Sequence, residues 1–138
     1  MIRIIIAGSR KFNDYSTLSN IVDHILKLRV YKKGYKPNDI EVVCGMAKGA
    51  DTLGERYAKA NGIKIKYFPA EWNKYGKSAG YHRNKAMAEY ASYEKGYGAL
   101  IVFWDGKSKG TKMMIELAKE CHLKCYIYNY VNHKGIEQ

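Results

Sequence analysis

The sequence predicts an α/β fold: a single three-layer domain in which a mainly parallel five-stranded sheet lies between helices. Three observations predict it. Five short apolar runs alternate with helical patterns at short intervals, the signature of a parallel sheet covered on both faces. The first run, Met1–Ala7, is nearly continuous rather than alternating, as a strand buried on both faces requires. The chain has 138 residues, enough for one domain that buries roughly two-thirds of its unfolded surface.

The first strand is Met1–Ala7 (MIRIIIA), ended by Gly8-Ser9-Arg10. After a loop holding Asn13 and Asp14, Ser16 or Thr17 is the expected cap of a helix whose apolar positions Leu18, Ile21, Val22, Ile25 and Leu26 follow helical spacing. The basic, Gly/Pro-punctuated stretch Lys32–Asn38 reads as a connection. Ile40–Cys44 is the second strand. The glycine-bounded loop Gly45–Gly49 follows, and then a helix with Ala50, Leu53, Gly54, Tyr57 and Ala58 on one face. Asn61-Gly62 has the form of a left-handed helix end, leading to the third strand Ile63–Phe68.

Pro69–Gly80 (PAEWNKYGKSAG) has almost no periodicity and is long for a connection, so it reads as a functional loop or flap. Trp72 and Tyr75 either stack there on a base or plug the edge of the core. The third helix opens at about Tyr81 with a buried stripe of Met87, Tyr90 and Ala91. This reading places Arg83 and Lys85 in its first turn, where cations are disfavoured unless an anion is bound. His82, among basic neighbours, reads as a surface residue. The fourth strand, Ala99–Trp104, runs into the loop Asp105–Thr111. The last helix buries Met113, Met114, Leu117, Ala118 and Cys121, and Leu123–Tyr128 is the fifth strand. Residues 1–130 form the domain on this reading, and 131–138 a polar, frayed tail.

The loops carry the chemistry. Gly106, Ser108, Gly110 and Thr111 combine small side chains with free backbone N–H groups, while Lys107, Lys109 and Lys112 crowd positive charge at a helix start that is itself positive. That electrostatic crowding is relieved by an anion. In a parallel sheet the loops that follow the strands share one edge, and that edge gathers Arg10, Lys48, Arg83, Lys107 and Lys109. A phosphorylated small molecule is the economical ligand. Asp51 has two roles open to it: offsetting the dipole of its helix, or contacting the ligand.

The formal charge of +11 favours an anionic partner without choosing between a nucleotide and a polynucleotide. No apolar run approaches the ~18 residues of a membrane span and no leader precedes the first strand, so a cytoplasmic location with no membrane contact is expected. Cys44, Cys121 and Cys125 fit buried strand and helix positions without a second ligand pair, so no metal is expected. The first turn is Gly-Ser-Arg rather than GxGxxG, and no P-loop is present, so no cofactor is expected either.

Gly8-Ser9-Arg10, Gly45…Lys48-Gly49-Ala50-Asp51, Phe68-Pro69-Ala70-Glu71-Trp72, Gly76…Ala79-Gly80…Arg83-Asn84…Met87 and Ser108-Lys109-Gly110-Thr111 together carry a likeness from Ile2 to about Tyr128. The sequence resembles the SLOG superfamily, a Rossmann-like group that includes LOG-type phosphoribohydrolases and DprA DNA-processing proteins, and within it the YspA, cpYpsA-related branch. The resemblance implies binding or processing of a phosphorylated nucleotide or nucleotide sugar, with N-glycosidic hydrolysis as the reaction of its enzyme members. Their motifs are an Arg in R-K-x-x-M and a Glu in P-G-G-x-G-T-x-x-E. Arg83 and Met87 match the first with Asn84 in place of the Lys. Gly110-Thr111 match the second, but Met114 stands where the Glu belongs and Glu116 lies two residues on.

The candidate catalytic carboxylates are Glu71, Asp51 and Glu116, in that order. The candidate ligand-binding set is Gly8, Ser9, Arg10, Gly45, Lys48, Gly49, Asp51, Trp72, Arg83, Asn84, Ser108, Lys109, Gly110 and Thr111. A non-catalytic nucleotide sensor or sink and a single-stranded nucleic-acid-binding protein are the alternatives. A homo-oligomer is also left open, since related folds dimerise through helices.

Overall fold

The five apolar runs pair edge to edge in one sheet. A computed structural model describes residues 1–135. The elements are β1 (Ile2–Gly8), α1 (Tyr15–Arg29), β2 (Ile40–Cys44), α2 (Ala50–Ala60), β3 (Lys64–Tyr67), the single turn α3 (Trp72–Tyr75), α4 (Ala79–Ala91), β4 (Gly98–Trp104), α5 (Lys109–Glu120) and β5 (Lys124–Asn129). Strand order is β3-β2-β1-β4-β5 and every neighbouring pair is parallel. The fold is therefore Rossmann-like α/β.

The continuous apolar runs are explained by what covers them. On one face Ile4, Ile6, Val42, Ile101 and Phe103 pack under Leu18, Val22 and Ile25 of α1 and Tyr57 of α2. On the other, Ile5, Val43, Leu100 and Val102 pack under Met87 and Ala91 of α4 and Met114 and Ala118 of α5. Successive residues of β1 and β4 thus feed opposite cores, which is the period-2 geometry of a strand inside a three-layer sandwich. Gly54 brings α2 close to the sheet, because a Cβ there would stand 2.7 Å from Cγ2 of Ile6. The outer strand β3 has exposed Lys64, Lys66 and Tyr67, and lysines on an edge of this kind discourage pairing with another chain.

Local chemistry shifts several boundaries. The cap of α1 is Asp14, not Ser16 or Thr17: Oδ1 accepts the Thr17 N–H at 3.1 Å and Oδ2 the Thr17 hydroxyl at 2.6 Å, so Ser16 and Thr17 lie inside the first turn. Gly62 does take the left-handed conformation (φ +66°), with the Ile63 N–H donating to Ala58 O at 2.9 Å. The stretch 69–80 is more ordered than its lack of periodicity suggests, because it holds α3 and a 3-10 turn at Gly76–Ser78. Buried Ala79 then starts α4 two residues earlier than expected. Arg83 and Lys85 consequently fall in the second turn of α4, beyond its free N–H groups.

Cys121 caps the end of α5 and is only half-buried, whereas Cys44 and Cys125 are buried strand residues. Residues 131–134 fold back on the end of β5. There Asn129 Oδ1 accepts the N–H groups of Val131 and Asn132, and Asn129 and Lys134 form an antiparallel bridge. The remainder of the expected tail, 136–138, lies outside the described residues. Among the described residues no helix is long and apolar enough to cross a membrane.

Candidate ligand-binding site

Strand order reverses between β1 and β4. The chain leaves β1 toward β2 and β3, then crosses back to β4, so α1 and α5 depart to opposite faces of the sheet. Turns that diverge in this way leave a gap at the carboxyl ends of the two strands. Here the gap is a crevice of about 430 Å³, within the range of small-molecule sites.

Its floor is the turn after β1. Gly8 has φ +154° and lies so close to β4 that a Cβ would stand 2.1 Å from Phe103 O, a separation no side chain tolerates. Buried Ser9 ties the two strand ends together, its N–H donating to Phe103 O at 2.9 Å and its Oγ accepting the Asp105 N–H at 3.2 Å. Arg10 is exposed and lines the crevice mouth.

The wall on the β4 side is the loop into α5. Asp105 Oδ1 accepts the N–H groups of Lys107 (2.9 Å) and Ser108 (2.8 Å), and these bonds hold its carboxyl below the ordinary carboxylate range. Trp104 Nε1 donates to Ser108 O at 3.1 Å, and the Ser108 and Thr111 hydroxyls lie 3.1 Å apart. The loop is braced from both ends. No side chain caps α5, whose first internal bond runs from the Lys112 N–H to Ser108 O. The N–H groups of Lys109, Gly110 and Thr111 therefore have no helical acceptor. Gly110 and Thr111 line the crevice beside them. Backbone donors placed in this way at a helix N-terminus are able to hold an anion.

The wall on the β2 side combines α2 with α4. Arg83 donates from Nη1 to Gly45 O at 2.8 Å and from Nε to Asn84 Oδ1 at 2.9 Å. Both acceptors are neutral, and among the described residues no carboxylate lies within ion-pair distance of its guanidinium. Asp51 is 4% exposed and accepts the Ala47 N–H at 3.3 Å. Burial pushes its pKa from 3.8 up to about 6, against the opposing pull of Arg83, the Ala47 N–H and Arg10. Gly45 is required beneath this pair: a Cβ there would stand 2.7 Å from Asp51 Oδ2 and 3.1 Å from Arg83 Cδ. Asn84 is buried on the same wall, and Trp72, half exposed, overhangs the opening.

The structure thus brings together Gly8, Ser9, Arg10, Asp51, Trp72, Arg83, Asn84, Ser108, Gly110 and Thr111. It separates others. Gly49 (φ +81°) is a packing residue, its Cβ position 2.3 Å from Ser9 O, and Gly45 lies under the wall. Lys48 and Lys109 are exposed and do not line the crevice. Glu71, ranked first among the carboxylates, faces a neighbouring hollow with Tyr75, His82 and Glu89, and Glu116 is exposed on α5. In each case helix phase or flap direction turns the side chain elsewhere, so of the three nominated carboxylates only Asp51 reaches the crevice. His82 is exposed as expected, stacked on Tyr75 at 3.9 Å. Asp105, Lys11, Ala47, Met87, Met113 and Met114 line the crevice without having been singled out for it. For Asp105 the signal was present: Asp-Gly-Lys-Ser is an Asx-turn pattern. Met113 and Met114 belong to the core stripe and also reach the crevice.

A family model described as the YspA, cpYpsA-related SLOG family matches residues 2–75. Gene 61 protein of Mycobacterium phage D29 is 29% identical over 126 residues, spanning 87% of this chain and 90% of that protein. No solved structure matches the chain. The matched segment runs from β1 through α3 and takes in the Gly8–Arg10 turn and the Gly45–Asp51 loop, and the chain belongs to the YspA, cpYpsA-related SLOG family.

Proposed function

We propose that the crevice binds a phosphorylated nucleotide or nucleotide sugar, its phosphate seated on the free N–H groups at the start of α5 with Arg83 and Arg10 supplying charge. The observation that carries this reading is convergence. An uncapped helix start with two crevice-lining hydroxyls meets an arginine whose hydrogen bonds go only to neutral acceptors, at the strand-order reversal. Free N–H groups and an arginine fork both favour a dianionic oxygen cluster over a neutral ligand. Family membership supports a nucleotide-related ligand.

N-glycosidic hydrolysis is the reaction this site would support, since a carboxylate on the wall stabilises the positive charge that develops on a ribosyl ring as the base departs. Asp51 is the carboxylate we assign to that role, because it lines the crevice. Its pKa near 6 leaves it ionised at neutral pH.

The test is a thermal-shift screen of the protein against nucleoside monophosphates, ADP-ribose, NAD and short single-stranded DNA, with mass spectrometry of each mixture. A shift with a mononucleotide or nucleotide sugar is expected, and Arg83→Ala should weaken that binding by about 1.5–3 kcal/mol, the range for a hydrogen bond to a charged group. Released base would mark hydrolysis, and an intact ligand a sensor or sink. A response confined to oligonucleotides, rising with their length, or unchanged affinity in Arg83→Ala would overturn the reading.

A further inference from the structure

Two polar groups on the β2-side wall are not used by a phosphate. Asn84 is 5% exposed, and its Oδ1 is occupied by Arg83 Nε at 2.9 Å. Because the guanidinium can only donate, that bond fixes which way the amide points and directs Nδ2 away from it. Nδ2 has no partner among the described residues, although Asn84 lines the crevice. Asp51, equally buried, takes the Ala47 N–H on Oδ2 at 3.3 Å. The two residues flank Arg83, since Asp51 Oδ2 and Arg83 Cδ both lie within 3.1 Å of the point where a Cβ on Gly45 would stand. Both residues line the crevice, so an amide donor and a carboxylate acceptor face it on the two sides of Arg83, and a ligand that supplies the converse pair complements them.

A second phosphate is the wrong complement. Its oxygens only accept, and a carboxylate repels them. A hydroxyl group donates and accepts at one atom, so adjacent hydroxyls satisfy both Asp51 and Asn84 while adding no charge.

We infer that Asp51 and Asn84 form a diol-reading subsite that selects ribose over 2-deoxyribose in the phosphorylated ligand. This rests on the phosphate site proposed above and adds the sugar. A site built to bond a hydroxyl rejects the analogue that lacks it, because its own buried groups are left unpaired.

The experiment compares D-ribose 5-phosphate with 2-deoxy-D-ribose 5-phosphate by calorimetry, and then the four ribonucleoside 5′-monophosphates with their 2′-deoxy counterparts. The sugar phosphates make the comparison independent of the base. Wild type is expected to hold the ribo form at least about tenfold more tightly. Asp51→Asn should bring the two within about twofold by weakening the ribo form alone. Asn84→Asp, which keeps the acceptor for Arg83 and removes the amide donor, should do the same, and melting curves establish that each variant is folded. If the deoxy forms bind wild type as tightly as the ribo forms, the diol subsite is refuted and the phosphate site stands. A ribo preference that survives in both variants also refutes it. Binding of none of these phosphates would refute the phosphate site and this subsite together.

Discussion

Asp51→Asn replaces a buried carboxylate with a neutral amide of the same shape, and its effect on stability should depend on pH in a defined direction. Burial raises the Asp51 pKa from 3.8 to about 6, so the folded state holds this proton more tightly than the unfolded chain. The stability linked to that proton is fully present below the unfolded value and is lost as pH rises through about 6. At about 1.4 kcal/mol per pH unit, the displacement from 3.8 to about 6 corresponds to about 3 kcal/mol. The amide has no proton to lose, and its oxygen can still accept the Ala47 N–H. Relative to wild type, the variant should therefore gain about 3 kcal/mol between about pH 4 and about pH 7.5. Urea unfolding of both proteins at steps across that range reads the difference directly. A difference that stays flat would show that ionising Asp51 costs nothing in the fold. A difference that moves toward wild type as pH rises would show that Arg83 and Arg10 outweigh desolvation.

Three other outcomes are expected. Asp105→Ala removes the acceptor for two N–H groups and should lower stability by about 1 kcal/mol at neutral pH while weakening phosphate binding. Because its pKa is lowered in the fold, the wild-type advantage should disappear as pH falls below the ordinary value of 3.8, and an advantage that persists there in urea titrations would rule out the Asx turn as its source. Gly49→Ala forces a Cβ to within 2.3 Å of Ser9 O at a φ of +81°, and should cost more than about 2 kcal/mol in urea unfolding; a neutral result would mean the Ser9-Arg10 turn yields freely. Trp72→Ala removes a side chain that is 55% exposed, so stability should change by less than about 0.5 kcal/mol. Its nucleotide affinity should fall by about 1–3 kcal/mol while ribose 5-phosphate binding is untouched, and equal loss for both ligands would exclude base stacking.

The legible parts of this protein are those whose cause is local. The β1 run from Ile4 to Ala7 and the β4 run from Leu100 to Phe103 are apolar at every position because each position faces one core or the other, and α1 and α5 repeat with helical spacing because each presents a single face. The Ser108–Thr111 loop was readable because small residues and lysines at a helix start are unusual neighbours. The Asp14 cap was harder to place, since Asp14, Ser16 and Thr17 are all competent capping residues and only the chain path selects one. The flap 69–80 concealed α3 because a four-residue helix has too few turns to show a period.

Residue order alone determines the alternating architecture, and with it the gathering of Gly8–Arg10 and Asp105–Thr111 at one edge of a parallel sheet. Strand order, helix phase and depth were decided by the tertiary structure. It moved Arg83 into the second turn of α4 and onto Gly45 O, turned Glu71 and Glu116 away from the crevice, and buried Asp51 between α2 and α4. Sequence spacing specifies which residues share an element, whereas a side chain's solvation and partners depend on elements far apart in the chain. The pair that reads the ligand's sugar in our proposal, Asp51 and Asn84, stands 33 positions apart in the sequence and shares a crevice wall only because Arg83 packs over Gly45.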